Sequence, residues 1–201
     1  MFVDVHVLQT VPPSCINRDD TGSPKTAVYG GVTRARVSSQ SWKHAVREYF
    51  SKKFPSDQSG YRTKKILDLV QEEIAKLAAD KDAEKLARTA LENAGLKLKK
   101  KKGEDEEGRD VEALFFISEA QIKALAQLAV TDEADKKKYK EALKAQPSVD
   151  MALFGRMVAS DPSLNFDACC QVAHAISTHA VHPEYDYFTA ADDCSPEDNA
   201  G

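Results

Sequence analysis

Residues 36–50, RVSSQSWKHAVREYF, decide the fold of the N-terminal region because they combine a helix start with two chemically different faces. Ser38 or Ser39 suits the N-cap position, where a side-chain hydroxyl accepts a hydrogen bond from a backbone N–H of the first turn. At the helical period the residues sort into two halves. The apolar half contains Trp42, Ala45, Val46, Tyr49 and Phe50, and the polar half contains Gln40, Lys43, His44 and Arg47. We therefore predict a helix that packs its apolar half on a core and exposes hydrogen-bond donors on the other.

The polar half of this predicted helix is suited to binding phosphate groups. A helix N-terminus carries unpaired backbone N–H groups and about half a positive charge. Ser38, Ser39 and Gln40 add neutral donors there, and Lys43 and Arg47 follow one and two turns later. Successive phosphates of a nucleic acid need neutralisation and hydrogen bonds but no base-specific contact. The alternative interpretation is a capped amphipathic helix whose solvent face is basic, which is a common arrangement.

The distribution of charge permits such a site although the protein is acidic overall. The 201 residues have a net charge of −4, yet residues 17–47 contain six Lys and Arg residues against two Asp residues. A local basic patch can bind nucleic acid even when the whole protein is acidic. The bases upstream of the helix, which extend the candidate site, are Arg18, Lys25, Arg34 and Arg36.

Alternating and apolar segments at both ends of the chain predict strands. Val3, Val5 and Val7 alternate with polar residues, which is typical of a strand with one buried face. Residues 32–37, VTRARV, predict a second short strand. Residues 149–158, VDMALFGRMV, are apolar enough to predict a buried strand.

Helical patterns fill the middle of the chain and return near its end. Residues 55–147 contain several amphipathic segments with Glu- and Lys-rich outer faces. Ser118 and Gln121 have the spacing of a capping box. Residues 165–181 place apolar side chains at helical spacing, with Asn165 as a candidate cap. These patterns predict a mixed α/β domain that is interrupted by a helical insertion.

The sequence disfavours membrane proteins and several kinds of enzyme. No apolar run approaches the ~20 residues that a membrane-spanning helix needs. Phosphate-cradling and nucleophile-elbow motifs are absent. The four cysteines have no CxxC spacing, which favours reduced thiols in the cytoplasm. We expect no catalytic residue, no cofactor and no metal site.

Two sets of residues leave a metal interpretation open. Asp19 and Asp20 lie in a turn-rich loop and could hold a divalent metal, although adjacent acids in such loops are usually solvated or cap a turn. The spacing of His174, His179 and His182 does not place the first two on one helical face, and no cysteine pattern joins them. Structural or surface histidines are therefore the preferred interpretation.

Aromatic residues and a methionine near the C-terminal end also have two interpretations. Tyr185 and Tyr187 alternate with Asp186 and Phe188. Tyr185, Tyr187 and Phe188 therefore either stack on bases or fill a core. Met157 is either an apolar wedge between bases or a core residue. The sequence pattern does not decide between these alternatives.

Four ordered segments resemble the CasC family, which supplies the backbone subunit of type I-E CRISPR surveillance complexes (Cascade). The first is HVL…PPSCINRDD…KTAVYGG…RARVSSQSWKHAVRE. The segments ALFGRM, AHAISTHAV and YDYFTAADD follow in the order of the family. The resemblance covers both ends of the chain well and the helical middle only in its general character.

The resemblance implies an α+β molecule shaped like a right hand, with an RRM-like (ferredoxin-like) palm, a helical fingers insertion and a thumb. It assigns residues 1–54 to the first part of the palm and residues 55–147 to the fingers. Residues 148–201 then continue the palm and end at the start of the thumb. Because family members are longer, we expect the second part of the palm and the thumb to be missing from this sequence.

The resemblance also implies a non-catalytic function. Family members stack head-to-tail along one CRISPR RNA, together with other Cascade subunits, and leave guide bases free to pair with target DNA. The family's RNA contacts carry over to Asn17, Arg18, Ser38, Gln40, Lys43 and Arg47, with His44 at a position where a base is common. Met157 matches an apolar wedge, and Tyr187 and Phe188 match an aromatic pair in which Tyr187 replaces the usual Trp.

Two other functions remain as alternatives. Backbone subunits of related effector complexes can cut target RNA, so a metal-dependent RNA endonuclease would use Asp19 or Asp20. A purely structural oligomer would bind no RNA.

Overall fold

The computed structural model describes residues 1–100 and 107–184 and divides the chain into two compact units. The smaller unit combines Met1–Ser41 with Ala173–Gly201, and the larger unit is Trp42–Val172. The predicted tyrosine and phenylalanine pair, Tyr187 and Phe188, lies outside the described residues.

The elements alternate between short strands and helices, which confirms the predicted α+β class. In chain order they are β1 (Thr26–Tyr29), β2 (Val32–Val37), α1 (Ser39–Lys53), β3 (Gly60–Thr63), α2 (Ile66–Leu77), α3 (Ala83–Ala94), β4 (Leu98–Lys100), β5 (Glu107–Val111), β6 (Phe115–Ser118), α4 (Glu119–Val130), α5 (Lys136–Lys144), α6 (Val149–Phe154) and β7 (Ala175–Ile176). The RRM-like topology and the division into palm and fingers stay predictions.

The smaller unit is built on an antiparallel hairpin of β1 and β2. Gly30 and Gly31 form its two-residue turn with φ values of 64° and 77°, the conformation in which glycine is favoured and which matches the twist of the strands. Strand β7 pairs with the other edge of β2, where Arg36 lies opposite Ile176. The predicted strand at residues 32–37 is therefore confirmed.

The predicted strand around Val3, Val5 and Val7 is wrong for this structure. These three side chains are 72%, 81% and 77% exposed, and no strand is assigned before β1 within residues 1–100 and 107–184. Alternation creates an apolar face but supplies no hydrogen-bonding partner, and a strand is stable only when a neighbour pairs with its backbone.

The larger unit has a continuous core between its helices and short sheets. The core is formed by apolar faces of α2 to α5, and it includes Leu67, Leu91, Ile117, Leu125 and Leu143, each fully buried. The helical periodicity predicted for residues 55–147 is thus largely confirmed. Between α3 and α4 the chain also forms the antiparallel strands β4 and β5.

The capping box predicted at the start of α4 is confirmed. The Ser118 hydroxyl accepts a hydrogen bond from the Gln121 N–H at 3.1 Å, and the Gln121 side chain accepts one from the Ser118 N–H at 3.2 Å. The Gln121 amide also donates to the Leu143 and Ala145 carbonyls, both at 2.8 Å. A local cap therefore also joins α4 to the end of α5.

Two predictions for residues 149–181 are wrong. Residues 149–154 form α6 rather than a strand, and Gly155 ends that helix with a φ of 76°. Residues 165–181 form no helix in the structure, because Phe166 pairs with Arg156 in an extended bridge. Asn165 starts no helix; it follows the 3-10 helix Pro162–Leu164, and its Oδ1 accepts the Val158 N–H at 2.6 Å.

Arg156 is a buried cation that ties several parts of the larger unit together. Its side chain donates to the carbonyls of Leu164, Phe116 and Leu143 at 2.9, 3.0 and 2.7 Å. The residue is 4% exposed, and burial lowers the pKa of its guanidinium to about 10. Carbonyl oxygens therefore replace the water that a buried guanidinium loses.

The helices and the cysteines can be compared with the expectations from the sequence. Among the residues described, no helix is both long and apolar enough to cross a bilayer. Cys15, Cys169 and Cys170 are free thiols.

Replacing Arg156 with Ala should lower the free energy of unfolding by about 3–5 kcal/mol, because several buried carbonyls lose their donor. Urea unfolding followed by circular dichroism measures this change. Arg109→Ala is the control, since Arg109 is 46% exposed in its surface ion pairs with Asp68 and Glu84. A loss for Arg156→Ala no larger than for Arg109→Ala contradicts the assigned role.

Asp161 should make stability depend on acidic pH. The Lys140 ammonium at 2.6 Å and the Ser163 hydroxyl lower the pKa of Asp161 from 3.8 to about 2. A lowered carboxyl pKa stabilises the fold above the unfolded value, so this contribution is lost as the pH falls from about 4 through about 2. Thermal unfolding between those pH values should be less pH-dependent in Asp161→Asn than in the wild type. Equal slopes would refute the assignment.

Candidate nucleic-acid interface

The start of α1 has its backbone donors satisfied by side chains of the smaller unit. The Ser38 hydroxyl accepts the Ser41 N–H at 3.3 Å, which confirms Ser38 rather than Ser39 as the cap. The Asn17 Oδ1 accepts the Ser38 N–H at 3.0 Å, and the His174 Nδ1 accepts the Ser39 N–H at 2.8 Å. The N–H groups of Ser38, Ser39 and Ser41 are therefore paired within the protein, contrary to the expectation that they are unpaired.

Asn17 and Lys25 hold a compact turn beside the helix start. The Asn17 carbonyl accepts the Lys25 N–H at 2.9 Å, and the Lys25 carbonyl accepts the Arg36 N–H at 2.9 Å. The Arg18 Nη1 donates to the Gly22 carbonyl at 3.0 Å. Asn17, Arg18 and Lys25 thus come together in one hydrogen-bonded segment, and their contact with RNA stays a prediction.

Asp19 shapes this turn. Its Oδ1 accepts the Thr21 N–H at 2.9 Å, the Thr21 hydroxyl at 2.7 Å and the Ser23 N–H at 3.0 Å. The Thr21 hydroxyl is the main cause that lowers the pKa of Asp19. Within the described ranges no three His, Cys, Asp or Glu residues are grouped as metal ligands would be. The turn by itself accounts for an acid at position 19.

Lys43 and Arg47 lie on the half-buried face of α1, contrary to the predicted division of the helix. Tyr49, from the expected core-facing half, is 59% exposed, and no residue of α1 is fully buried. The Lys43 ammonium instead lies 5.9 Å from the centre of the Phe154 ring, and the Arg47 guanidinium lies 5.1 Å from that of Phe116. Cations can pack in this way because their aliphatic stems cover apolar surface and their charges face the aromatic ring.

Arg47 also faces a buried carboxylate. Its Nε is 3.7 Å from the Asp150 Oδ2, too long for a hydrogen bond, and the Arg47 side chain is 22% exposed. The pKa of Arg47 is lowered overall, chiefly by burial and also by the positive charge of Arg62. The negative charge of Asp150 opposes this shift. The Asp150 Oδ1 is used elsewhere, because it accepts the N–H groups of Gly60 and Met151.

The remaining predicted residues are placed as follows. Gln40 and His44 are exposed on α1, and the His44 Nε2 is 3.8 Å from the Glu48 Oε1. Met157 is 83% exposed, so it is not a core residue in this structure. Arg34 forms a hydrogen bond within the β1–β2 hairpin, where its Nε donates to the Tyr29 carbonyl at 3.0 Å.

The sequence did not indicate the roles of three residues at this site: His174, Asp150 and Arg62. His174 lies 135 positions after Ser39 in the chain, and only the fold makes it a cap. Asp150 carried a local signal, because an acid early in an apolar run is typical of a helix N-terminus. Arg62 carried none, since a lone base in a lysine-rich segment resembles any solvated residue.

The capping role of Ser38 predicts a measurable loss of stability. Ser38→Ala should lower the free energy of unfolding by about 0.5–2 kcal/mol, because the Ser41 N–H loses its acceptor. Ser39→Ala is a matched control, since within the described residues the one hydrogen bond of the Ser39 hydroxyl goes to the Gln40 side chain, at 3.5 Å. Urea unfolding measures both variants, and equal effects would contradict the assignment of the cap.

The chain is similar to chains of known structure. One chain from a structure described as a CRISPR RNA-guided surveillance complex is 36% identical, with a TM-score of 0.60; the match covers 86% of this chain and 57% of that one. A chain from such a complex in a pre-nicking state is 35% identical, with a TM-score of 0.59, over 94% of this chain and 55% of that one. The protein thus spans little more than half the length of these relatives. No curated protein matches it.

The family model described as CT1975-like protein matches residues 3–201. That match covers nearly the whole sequence and confirms the resemblance to a CRISPR-associated family, while type I-E stays a prediction. The chain belongs to the CT1975-like protein family.

Proposed function

We propose that the protein is a non-catalytic RNA-binding subunit of a CRISPR RNA-guided surveillance complex. In this proposal several copies stack head-to-tail along the CRISPR RNA in the cytoplasm. They leave guide bases free to pair with target DNA and assemble with the other subunits of a type I-E Cascade. An RRM-like palm carries the RNA, and the helical insertion forms the fingers.

The observation that carries this proposal is the pair of cations on α1. The Lys43 ammonium lies over an aromatic ring and has no carboxylate partner among the residues described. The Arg47 Nε is buried without a hydrogen-bond partner in the same part of the chain. Cations that the protein itself leaves incompletely paired are suited to an external anion.

The helix start contributes differently from what its sequence predicts. Because Asn17, His174 and Ser38 accept the N–H groups of Ser38, Ser39 and Ser41, RNA phosphates are bound chiefly by side chains. The proposed contacts are Arg18, Lys25, Gln40, Lys43, His44 and Arg47, with Asn17 and Ser38 fixing the geometry. Met157, exposed on the larger unit, is proposed as an apolar contact with bases, and Tyr187 and Phe188 remain proposed base-stacking residues.

Binding should be independent of sequence and sensitive to salt. Lys43→Ala combined with Arg47→Ala should weaken the binding of any single-stranded RNA. It should also reduce the slope of log Kd against log salt by roughly 0.7 for each phosphate that the protein no longer neutralises. Fluorescence anisotropy with two unrelated labelled RNAs over a KCl series measures both effects.

The control combines Lys85→Ala with Lys97→Ala, which removes two exposed charges from the larger unit. Circular dichroism verifies that both double variants are folded. If the α1 double variant keeps the affinity and the salt slope of the wild type, the proposal that Lys43 and Arg47 bind RNA phosphates is overturned. Cleavage of the RNA in the presence of Mg²⁺, lost on Asp19→Ala, would overturn the non-catalytic assignment.

A further inference from the structure

Strand β3 carries a cation that the sequence did not single out. Arg62 is paired with Phe116 across the β3–β6 ladder, so the two side chains project from the same face of that sheet. The neighbouring residues Phe115 and Ile117 belong to the core cluster, whereas Phe116 does not. Arg62 therefore lies on the sheet face that points away from the core, and its side chain is exposed.

Arg47 occupies the same face from the side of α1. Its guanidinium carbon lies 5.1 Å from the centre of the Phe116 ring. Arg47 thus packs on the ring of Phe116, and Arg62 lies opposite the same residue in the ladder. Burial is the main cause of the lowered pKa of Arg47, and the nearby positive charge of Arg62 lowers it further.

No carboxylate of the described residues forms a hydrogen bond to either arginine. Asp150 supplies one negative charge, but its Oδ1 is occupied by two backbone N–H groups and its Oδ2 stays 3.7 Å from the Arg47 Nε. Arg62 has no ion pair or hydrogen bond among the residues that the structure describes. Glu48 adds an electrostatic attraction for Arg47. In the part of the chain that the structure describes, neither guanidinium is therefore engaged by a carboxylate at hydrogen-bonding distance.

Two buried polar atoms near Phe116 also lack hydrogen-bond partners among the described residues. In the described part of the chain, the buried Arg47 Nε and the buried Ser148 hydroxyl have no hydrogen-bond partner. Ser148 is 3% exposed, and its Oγ and the Phe116 ring edge would each lie 2.6 Å from a Cβ added at Gly60. The glycine thus lets a hydroxyl and a ring approach closely beside the two arginines. Unpaired buried polar groups cost free energy and call for a missing partner.

We infer that Arg47 and Arg62 bind one phosphodiester of the RNA strand between them. The line of phosphate contacts proposed for Lys43 and Arg47 on α1 would then continue onto β3. The inference rests on the proposed function. A phosphate is favoured over a carboxylate because a tetrahedral anion can accept hydrogen bonds from two guanidinium groups at once. A nucleic acid is favoured over an acidic protein because Lys43 lies one turn before Arg47 on α1 and continues the same line of charge.

The decisive variant is Arg62→Gln, which keeps a long polar side chain and removes only the charge. Its matched control is Lys85→Gln, at an exposed lysine of α3 in the same unit. The purified protein is titrated into a labelled, unstructured RNA over a KCl series. Arg62→Gln should weaken binding about three- to tenfold at low salt and reduce the salt slope by roughly 0.7. Lys85→Gln should change neither quantity.

A second measurement tests whether the arginines share one phosphate. The effects of Arg47→Gln and Arg62→Gln on Kd should be less than multiplicative when combined, since either substitution alone disrupts the same interaction. Fully multiplicative effects would overturn the shared site. Circular dichroism establishes that the variants are folded.

The remaining outcomes separate this inference from the proposed function. If the wild type binds RNA and Lys43→Ala weakens binding, but Arg62→Gln behaves like Lys85→Gln, the inference fails and the proposed function stands. If the wild type binds no RNA, the proposed function itself fails. If Arg62→Gln binds RNA normally but loses binding to poly-glutamate, the site takes an acidic protein and the inference is overturned.

Discussion

The candidate interface depends first on how the N-terminus of α1 is satisfied. A helix begins with backbone N–H groups that have no partner within the helix, and each must find an acceptor. Here the acceptors are Asn17, Ser38 and His174, drawn from a turn, the cap itself and a segment near the other end of the chain. These three hydrogen bonds fix the start of the helix within the smaller unit. They therefore determine where the first turn of α1 begins and which residues follow at helical spacing.

The same constraint changes how an anion would be recognised. Free N–H groups at a helix start attract phosphates through hydrogen bonds and the helix dipole. Where protein acceptors occupy these N–H groups, the side chains of α1 must supply the hydrogen bonds to the anion. Side chains reach farther than the backbone and can adapt to the spacing of phosphates on a flexible RNA strand. Gln40 on the exposed face and the cations Lys43 and Arg47 provide such groups. Positioning and binding are thus divided between different residues of one helix.

Sequence reasoning was most successful where the signal is local. The Ser38 cap, the Ser118–Gln121 capping box and the period of the helices between α2 and α5 depend on residues a few positions apart, and they are found as predicted. Residues 149–154 and 165–181 were assigned wrongly because short apolar runs satisfy more than one period, and tertiary pairing then decides. For Phe166, the partner that decides is Arg156, ten positions earlier.

The candidate site shows the same limit. Charge pattern and resemblance identified residues of α1 and the preceding turn, but they assigned Lys43 and Arg47 to a solvent face. Which face of a helix is buried depends on what packs against it, and the partners Phe116 and Phe154 lie far along the sequence. An aromatic surface can accept a cation as readily as an apolar side chain. Hydrophobic periodicity alone therefore misassigned the face.

Phe116 joins the interior of the larger unit to the candidate interface. Its carbonyl accepts a hydrogen bond from the buried Arg156, its ring lies under the Arg47 guanidinium, and its backbone pairs with Arg62. The residue that supports the two cations is thus held by a network of buried hydrogen bonds. A rigid support reduces the conformational entropy that the arginines lose when they bind an anion. The buried and the surface arginines therefore act on one residue: Arg156 holds its backbone carbonyl, Arg47 packs on its ring, and Arg62 lies opposite it in the ladder.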